Sequence, residues 1–417
     1  MNHTDALAIN EESLHHDEKL NKKKVRLVTF DSFIMGFAQA AFIYIMSSYF
    51  KLASGTENIG PFYLISYSLV LVCFLNLHKA VKKFGKARVF LFALLVTLVT
   101  LMLLIFIQPS LISIAVLMIF IVAGGLEWVS LDAILESFSE DKSSGRIRGL
   151  FLMIMNVGYL LGPLLSMWIL EKFDYLGVFV FLLILNSIIF VVSLVGLRNV
   201  NHRFDQQLKV VDLIKKAAKR KDVLHIYYVS FALEFFFALM IIYAPLYLRD
   251  LGFSWIDIGK IFTIMLVPFV LVQYPMGFLA DKKTGEKEFI VFSLVIMAVS
   301  TAVIYFMGSA SLVVWAIILF ATRIGAALME VLRDSYFYKR IDGHDVDLIN
   351  FFRTAMPAAY IMASVLASIL LAFFSVRSIF VLIVVVLVSA LYPAFKLRDN
   401  KSESEILTKG RAREAVQ

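Results

Sequence analysis

The sequence predicts an all-α polytopic membrane protein whose twelve transmembrane helices form two six-helix bundles. Three observations predict it. Hydrophobic residues make up 60% of the 417-residue chain and charged residues only 17%, where soluble domains carry about a quarter charged. Mean hydropathy is +0.83. The apolar residues gather in continuous runs of the length needed to cross a hydrocarbon core about 30 Å thick. The polar breaks between runs alternate between rich and poor in lysine and arginine.

Taken in order, the runs lie near 27–50, 59–78, 88–107, 111–137, 147–170, 175–197, 224–248, 255–279, 289–307, 311–333, 348–374 and 377–396, and are called spans 1 to 12. Open sheets are excluded, because lipid cannot satisfy an unpaired strand edge. A barrel would show short alternating segments rather than continuous runs.

One set of loops carries Lys79, Lys82, Lys83, Lys86 and Arg88, then Lys142, Arg146 and Arg148, then Lys282, Lys283 and Lys287, then Lys339 and Arg340. The alternate set carries Lys51, Lys172, Arg249 and Arg377. Basic loops face the cytoplasm, so both termini and the central connection are expected there, in a bacterial inner (plasma) membrane. An even number of spans agrees with that.

Residues 1–26 read as a disordered cytoplasmic tail, polar and mixed in charge, with no signal-peptide pattern. Residues 27–197 form the first bundle and 224–397 the second. Between them, 198–223 carries Val210, Val211, Leu213, Ile214, Ala217 and Ala218 among basic residues, the pattern of an amphipathic helix on an anionic leaflet. Residues 398–417 form a cytoplasmic C-terminal tail.

A net charge of +8 would suggest nucleic acid in a soluble protein. Here topology-setting loops account for it, and no nucleic-acid partner is expected. The single cysteine, Cys73, excludes an intrachain disulfide, and no Cys/His cluster has metal-ligand spacing. His15 and His16 sit in a polar tail. No metal and no cofactor are expected. An enzyme is not expected either, and no phosphate-binding G-x-x-x-x-G-K-[ST] loop marks an ATP-driven pump.

The two halves repeat. Asn58-Ile59-Gly60 matches Asp257-Ile258-Gly259, Tyr49-Phe50-Lys51 matches Tyr247-Leu248-Arg249, and Lys82-Lys83-Phe84-Gly85 matches Lys282-Lys283-Thr284-Gly285, at an offset of about 200. Asp132 and Glu136 match Glu330 and Asp334. Six helices, a basic linker and six more in the same orientation is the plan of transporters built from two parallel repeats.

With these residues in view, the chain resembles the major facilitator superfamily over 24–397. The family's loop motif G-x-L-A-D-R-x-G-R-K has a counterpart after span 8, Gly277-Phe278-Leu279-Ala280-Asp281-Lys282-Lys283-Thr284-Gly285, with one extra residue. Its first-half copy, Lys79 to Lys86, lacks the acid. In span 5, Gly149, Gly158, Gly162 and Pro163 resemble the antiporter motif of drug:proton antiporters, with Ser166-Met167 where a glycine pair is expected. Small residues there let two helices approach closely. The arginine that the drug subfamily carries in span 4 is missing, with Phe120 and Ile121 in its place. An arginine stands instead in span 10, in Arg323-Ile324-Gly325.

Ionisable residues inside spans are costly and point to function. Glu127, Glu234 and Arg323 are the ones nearest mid-membrane and Asp31 lies nearer the cytoplasm, and together they form the candidate substrate and proton site. Glu127, Glu234 or Asp31 could carry a proton, since a desolvated carboxyl holds its proton more tightly. A buried Glu234–Arg323 pair is the structural alternative. Gln39, Tyr44, Trp128, Asn156, Tyr243, Gln273 and Tyr274 lie in helices that line the cavity of the family's fold, although each alone reads as well as packing.

Asp132 and Glu136 share a helix face, as do Glu330 and Asp334. The resemblance implies cross-pairing between halves at the cytoplasmic ends: Glu136 with Arg353, and Asp334 with Arg146 or Arg148, with Asp281 part of the same gate. Juxtamembrane anchoring is the plainer account of these charges.

The function expected is secondary active transport of a small organic solute by alternating access. It would be proton-coupled, by a monomer, with antiport and export of amphipathic or cationic compounds as the leading expectation. Import of a zwitterionic or polar nutrient (amino acid, peptide, nucleoside or sugar) is the alternative, and a lipid flippase on the same fold is a third.

Overall fold

The structure is a computed structural model. It describes residues 24–136, 144–197, 216–217, 219–272, 275, 286–309, 311–340 and 346–398. Every regular element among the described residues is helical.

Ten helices are each long and apolar enough to cross a membrane. Span 1 comprises Lys24–Ile43 and, beyond a turn at Tyr44 and Ile45, a second helix Met46–Ser54. Spans 2, 3 and 4 are Gly60–Phe84, Lys86–Phe106 and Leu111–Glu136. A single run Ser144–Gly196 holds spans 5 and 6, divided by non-helical backbone at Asp174 (φ 57°, ψ −169°). Asp174 accepts the Tyr175 amide at 2.8 Å there.

Span 7 is Lys221–Asp250 and span 8 is Trp255–Leu271. Spans 9 and 10 are Lys287–Phe306 and Leu312–Arg340. Span 11 is Val346–Arg353 followed by Ala355–Leu371, and span 12 is Ser378–Phe395. The division at Asp174 makes eleven crossings of the ten apolar helices, and the 17-residue span 8 supplies the twelfth. The chain therefore enters span 1 and leaves span 12 on one face, called here the linker face. The opposite face is the far face.

Within the halves, span 3 packs on span 4 and span 2 on span 4, while span 9 packs on spans 10 and 12 and span 7 on spans 10, 11 and 12. Among the described residues, the most extensive helix contacts between halves are span 2 with span 11, span 5 with span 8, and Met46–Ser54 with span 7. Large apolar side chains such as Phe92, Phe106, Phe306 and Phe373 stand exposed on the outside, a surface that only lipid makes favourable.

The glycines of span 5 act through contact distance. A Cβ on Gly158 would lie 2.2 Å from the Phe33 carbonyl oxygen, and one on Gly162 would lie 2.5 Å from the Ala40 Cβ. Gly36 answers from span 1, against Met155. Spans 1 and 5 thus touch backbone to backbone, the use of small residues that membrane packing favours.

The repeat also has a physical expression. Lys86, buried at the start of span 3, donates to the Ala133 carbonyl at 3.0 Å near the end of span 4. At the matching place, buried Glu286 just before span 9 accepts from Lys339 at 2.6 Å and Ser335 at 2.9 Å near the end of span 10. A buried charge braces the fourth helix of each half, with its sign reversed. The described residues of the linker stretch 198–223, namely 216–217 and 219–223, do not include the proposed amphipathic face at 210–214.

Replacing Gly158 or Gly162 by alanine is expected to lower the melting temperature in detergent, because a backbone carbonyl or a neighbouring helix would have to move. Gly124→Ala, whose Cβ would meet nothing within 4 Å, is expected to hold or raise it, alanine being favoured in helices by up to ~1 kcal/mol.

Candidate functional site

The candidate site is built where spans 7 and 10 run antiparallel and spans 1, 2 and 11 face them. Arg323 lies eleven residues into span 10 from the far face, or about 17 Å at 1.5 Å per residue. That is close to mid-membrane. It is 1% exposed. Its guanidinium lies 5.1 Å from the Phe236 ring centroid and 5.4 Å from that of Phe237, distances at which an aromatic face attracts a cation. Tyr44 of span 1 and Tyr360 of span 11 lie within electrostatic reach on other sides. The Nε and Nη1 donors of Arg323 meet no acceptor.

Ten residues further along span 10, Arg333 donates from Nη1 to Glu234 at 2.7 Å and to Ser230 at 2.8 Å. Both Arg333 and Glu234 are largely buried. The expected alternative of a Glu234–Arg323 pair is therefore corrected. Arg323 and Arg333 stand about 15 Å apart along the helix, and Glu234, lying linker-side of Phe236 and Phe237, reaches only Arg333. Arg333 was not singled out from sequence. It sits in Leu332-Arg333-Asp334 near a basic loop, where it reads as ordinary flanking charge.

The other expected carboxyls turn inward within the first half. Glu127 accepts from Thr97 of span 3, and Asp31 accepts from Ser193 of span 6 at 2.6 Å. Glu127 therefore has a partner in its own half. Trp128 packs in part against Leu77, Val81 and Val89 among spans 2, 3 and 4.

Gln39 accepts from Tyr159 at 2.7 Å, between spans 1 and 5, and half-buried Asn156 lies one turn before Tyr159. Tyr44, at the turn that interrupts span 1, has its ring 4.9 Å from that of Phe262 in span 8. Tyr243 is buried with its hydroxyl unpartnered. Gln273, Tyr274 and Asp281 lie outside the described residues.

Sequence reasoning also missed Tyr67 and Tyr360, which stack at 4.0 Å across the two halves. The only available signal was their aromatic character in cavity-lining spans.

Contacts between halves lie on both sides of this centre. On the linker face, Arg353 of span 11 donates to Asp132 of span 4. The expectation for Arg353 was Glu136, one turn onward, whose side chain lies outside the described ones, as do those of Arg146 and Arg148. Asp334 lies 3.4 Å from Arg333, and Glu330 faces the same guanidinium.

On the far face the helices close more tightly. A Cβ on Gly60 would lie 2.1 Å from Ser368 of span 11, and one on Gly259 would lie 3.0 Å from the Pro163 carbonyl of span 5. Trp255 donates its amide to Glu171 at 2.9 Å, and Lys51 stands 3.9 Å from Asp250. Outside that seal is a recess lined by Glu57, Asn58, Asp250 and Arg377. No group of acids, histidines or cysteines suited to a metal ion occurs among the described residues.

Comparison with known proteins adds the following. The sequence matches the family model described as Major Facilitator Superfamily over residues 27–333 and 249–416. No curated protein sequence matches it. Among solved structures, that of the nucleoside transporter NupG superposes with a TM-score of 0.70 at 12% sequence identity, covering 90% of this chain and 99% of that one.

Glu234→Ala is expected to destabilise the protein by ~3 kcal/mol, the cost of leaving a buried guanidinium without its partner. Replacing both partners by apolar residues, Glu234→Leu with Arg333→Met, is expected to cost less than Glu234→Ala alone, as read by thermal melting in detergent.

Proposed function

The chain belongs to the major facilitator superfamily, and from that premise we propose that it is a proton-coupled secondary transporter carrying a small polar or charged organic solute by alternating access. That it is a multi-pass membrane transporter follows from the family and the twelve crossings. The reading rests on one arrangement: cross-half contacts on both faces, with Arg323 buried between them. A carrier that rocks about a central site needs one closure to break while the other holds.

The linker face is the cytoplasmic one, because its loops hold most of the basic residues. Asp132–Arg353 is then the cytoplasmic closure. Among the described residues it is an ion pair, and solvation of both ends can replace it on opening. The glycine-mediated seal at Gly60 and Gly259 is the outer closure, where backbone contact leaves no space for water.

Arg323 favours a polar or anionic solute over the cationic export substrates suggested by the span 5 motif, since a buried guanidinium repels a cation at short range. NupG, whose fold this chain shares, is a nucleoside transporter, and nucleosides are of the polar-nutrient class. Import of such a solute is therefore the reading preferred over drug export.

For coupling, Glu234 is the carboxyl best placed. It is held by Arg333 and lies within electrostatic reach of Tyr67 and Tyr360, the pair that joins the halves. Loss of the Glu234 charge would leave Arg333 to Asp334, which it already meets at 3.4 Å, and to Glu330. That repacks the linker-side ends of spans 7 and 10 next to the cytoplasmic closure. Asp31 and Glu127 are held by hydroxyls of spans 6 and 3, away from the boundary between halves.

In liposomes with an internal pH dye, solute uptake is expected to carry protons inward, and an acid-outside gradient to accelerate it. Glu234→Gln is expected to stop proton movement while solute counterflow persists. Loss of proton movement in Asp31→Asn or Glu127→Gln instead would move the proton site into the first half. Arg353→Glu is expected to slow counterflow by about tenfold, equivalent to ~1.4 kcal/mol, and joint exchange with Asp132→Arg to restore much of it.

A further inference from the structure

The charges around the centre do not balance. Arg333 has Glu234, and Arg353 has Asp132. Arg323 has two aromatic rings and two tyrosines about it, but its Nε and Nη1 donors reach no acceptor. It is among the largest fully buried side chains of the protein. Aromatic faces offset part of the loss of hydration, but they accept no strong hydrogen bonds. A buried guanidinium left this way is unfavourable unless something arrives to pair with it.

Span 1 is interrupted at Tyr44 and Ile45, and Tyr44 at this break lies within electrostatic reach of Arg323.

We propose that the carried solute is a small organic monoanion, a carboxylate on an apolar or aromatic body, whose carboxylate docks on Arg323. This rests on the transport reading above and names its substrate class. One uncompensated positive charge asks for one negative charge, which favours a carboxylate over a phosphate dianion. A zwitterion would need a free anion for its ammonium group, and both nearby acids are engaged: Glu234 is held by Arg333 and Glu330 faces the same guanidinium. The body of the solute would lie among Tyr44, Phe236, Phe237 and Tyr360. Tyr243 lies two turns beyond Phe236 on the same face of span 7, about 10 Å away. Its unpartnered hydroxyl offers a hydrogen bond to a polar group at the solute's other end.

The test uses the full chain, in detergent for melting and in liposomes for counterflow. The probes are acid–amide pairs such as hippurate with hippuramide and indole-3-acetate with its amide, together with uridine and tetraethylammonium. At least one acid is expected to raise the melting temperature and to undergo counterflow, while its amide does neither. Arg323→Gln is expected to weaken that acid's effect by at least about tenfold, and Arg323→Lys to retain part of it. Without solute, Arg323→Met is expected to melt a few degrees higher than the parent, because it removes an unpaired buried charge. This readout is independent of transport and shows that the variant folds.

Counterflow of uridine or tetraethylammonium that survives in Arg323→Gln, with no acid acting, would overturn the anion assignment and leave the transporter reading standing. A lower melting temperature for solute-free Arg323→Met would overturn it too, by showing that the guanidinium is already satisfied. No counterflow for any class of solute would overturn both.

Discussion

Hydrocarbon returns no hydrogen bonds, and in this protein that constraint decides where every charged side chain can go. In water, Lys86 or Glu286 could point anywhere at little cost. Buried at the head of a bundle, each must find a fixed partner. Lys86 takes a carbonyl at the end of span 4, and Glu286 takes Lys339 and Ser335 near the end of span 10. The two braces occupy matching places in the repeat with opposite charge. What the repeat maintains is the tie between the third and fourth helices, and either sign can make it. A helix C-terminus offers carbonyl oxygens that accept from a lysine, and a lysine placed on the fourth helix serves an acid equally well.

The same constraint explains the glycines. Without a hydrophobic drive between helices in lipid, close van der Waals approach carries much of the association. Gly158 and Gly162 fix span 5 against span 1 within the first half, whereas Gly60 and Gly259 serve contacts between halves on the far face. The first pair holds a bundle together, and the second brings the two halves into close contact. The linker face has no comparable glycine contact among the described residues, and there the halves meet through Asp132 and Arg353. One closure is dry and steric, the other ionic. An ionic closure can be exchanged for hydration as it opens, so the two faces differ in how opening is compensated.

The spans were legible in the sequence because lipid demands continuous apolar runs and sets their length. The ends of spans 3, 4, 9 and 12 in the structure fall within a few residues of those expected, and Asp174 divides spans 5 and 6 between the two expected runs. The buried charges were legible as residues but not as pairs. Glu234 and Arg323 share a half, yet pairing depends on how spans 7 and 10 are rotated and on their antiparallel register, which bring Glu234 level with Arg333 instead. Packing along both helices sets these, not the local sequence. Arg333 was overlooked for a related reason: a cation one turn from a basic loop looks like anchoring until a neighbouring helix brings an acid to it. Tyr67 and Tyr360 stack only because spans 2 and 11 meet, a long-range fact with no local trace.

Arg323 then bears on kinetics as well as recognition. An empty carrier that closes both faces must hold an unpaired guanidinium away from water, whereas a carrier loaded with an anion holds a neutral pair. The occluded state is therefore favoured by loading, through a differential interaction of the kind that shifts a conformational equilibrium. Reorientation with solute bound should outrun reorientation without it, so exchange of solute across the membrane would exceed net movement when no gradient drives the empty carrier back. A proton on Glu234 changes this balance from the other side. It leaves Arg333 to Asp334 and Glu330 beside the ionic closure while Arg323 is paired by the solute. Two arginines on one helix, about 15 Å apart, would then respond to two different ligands, and span 10 would be the element through which solute and proton sense one another.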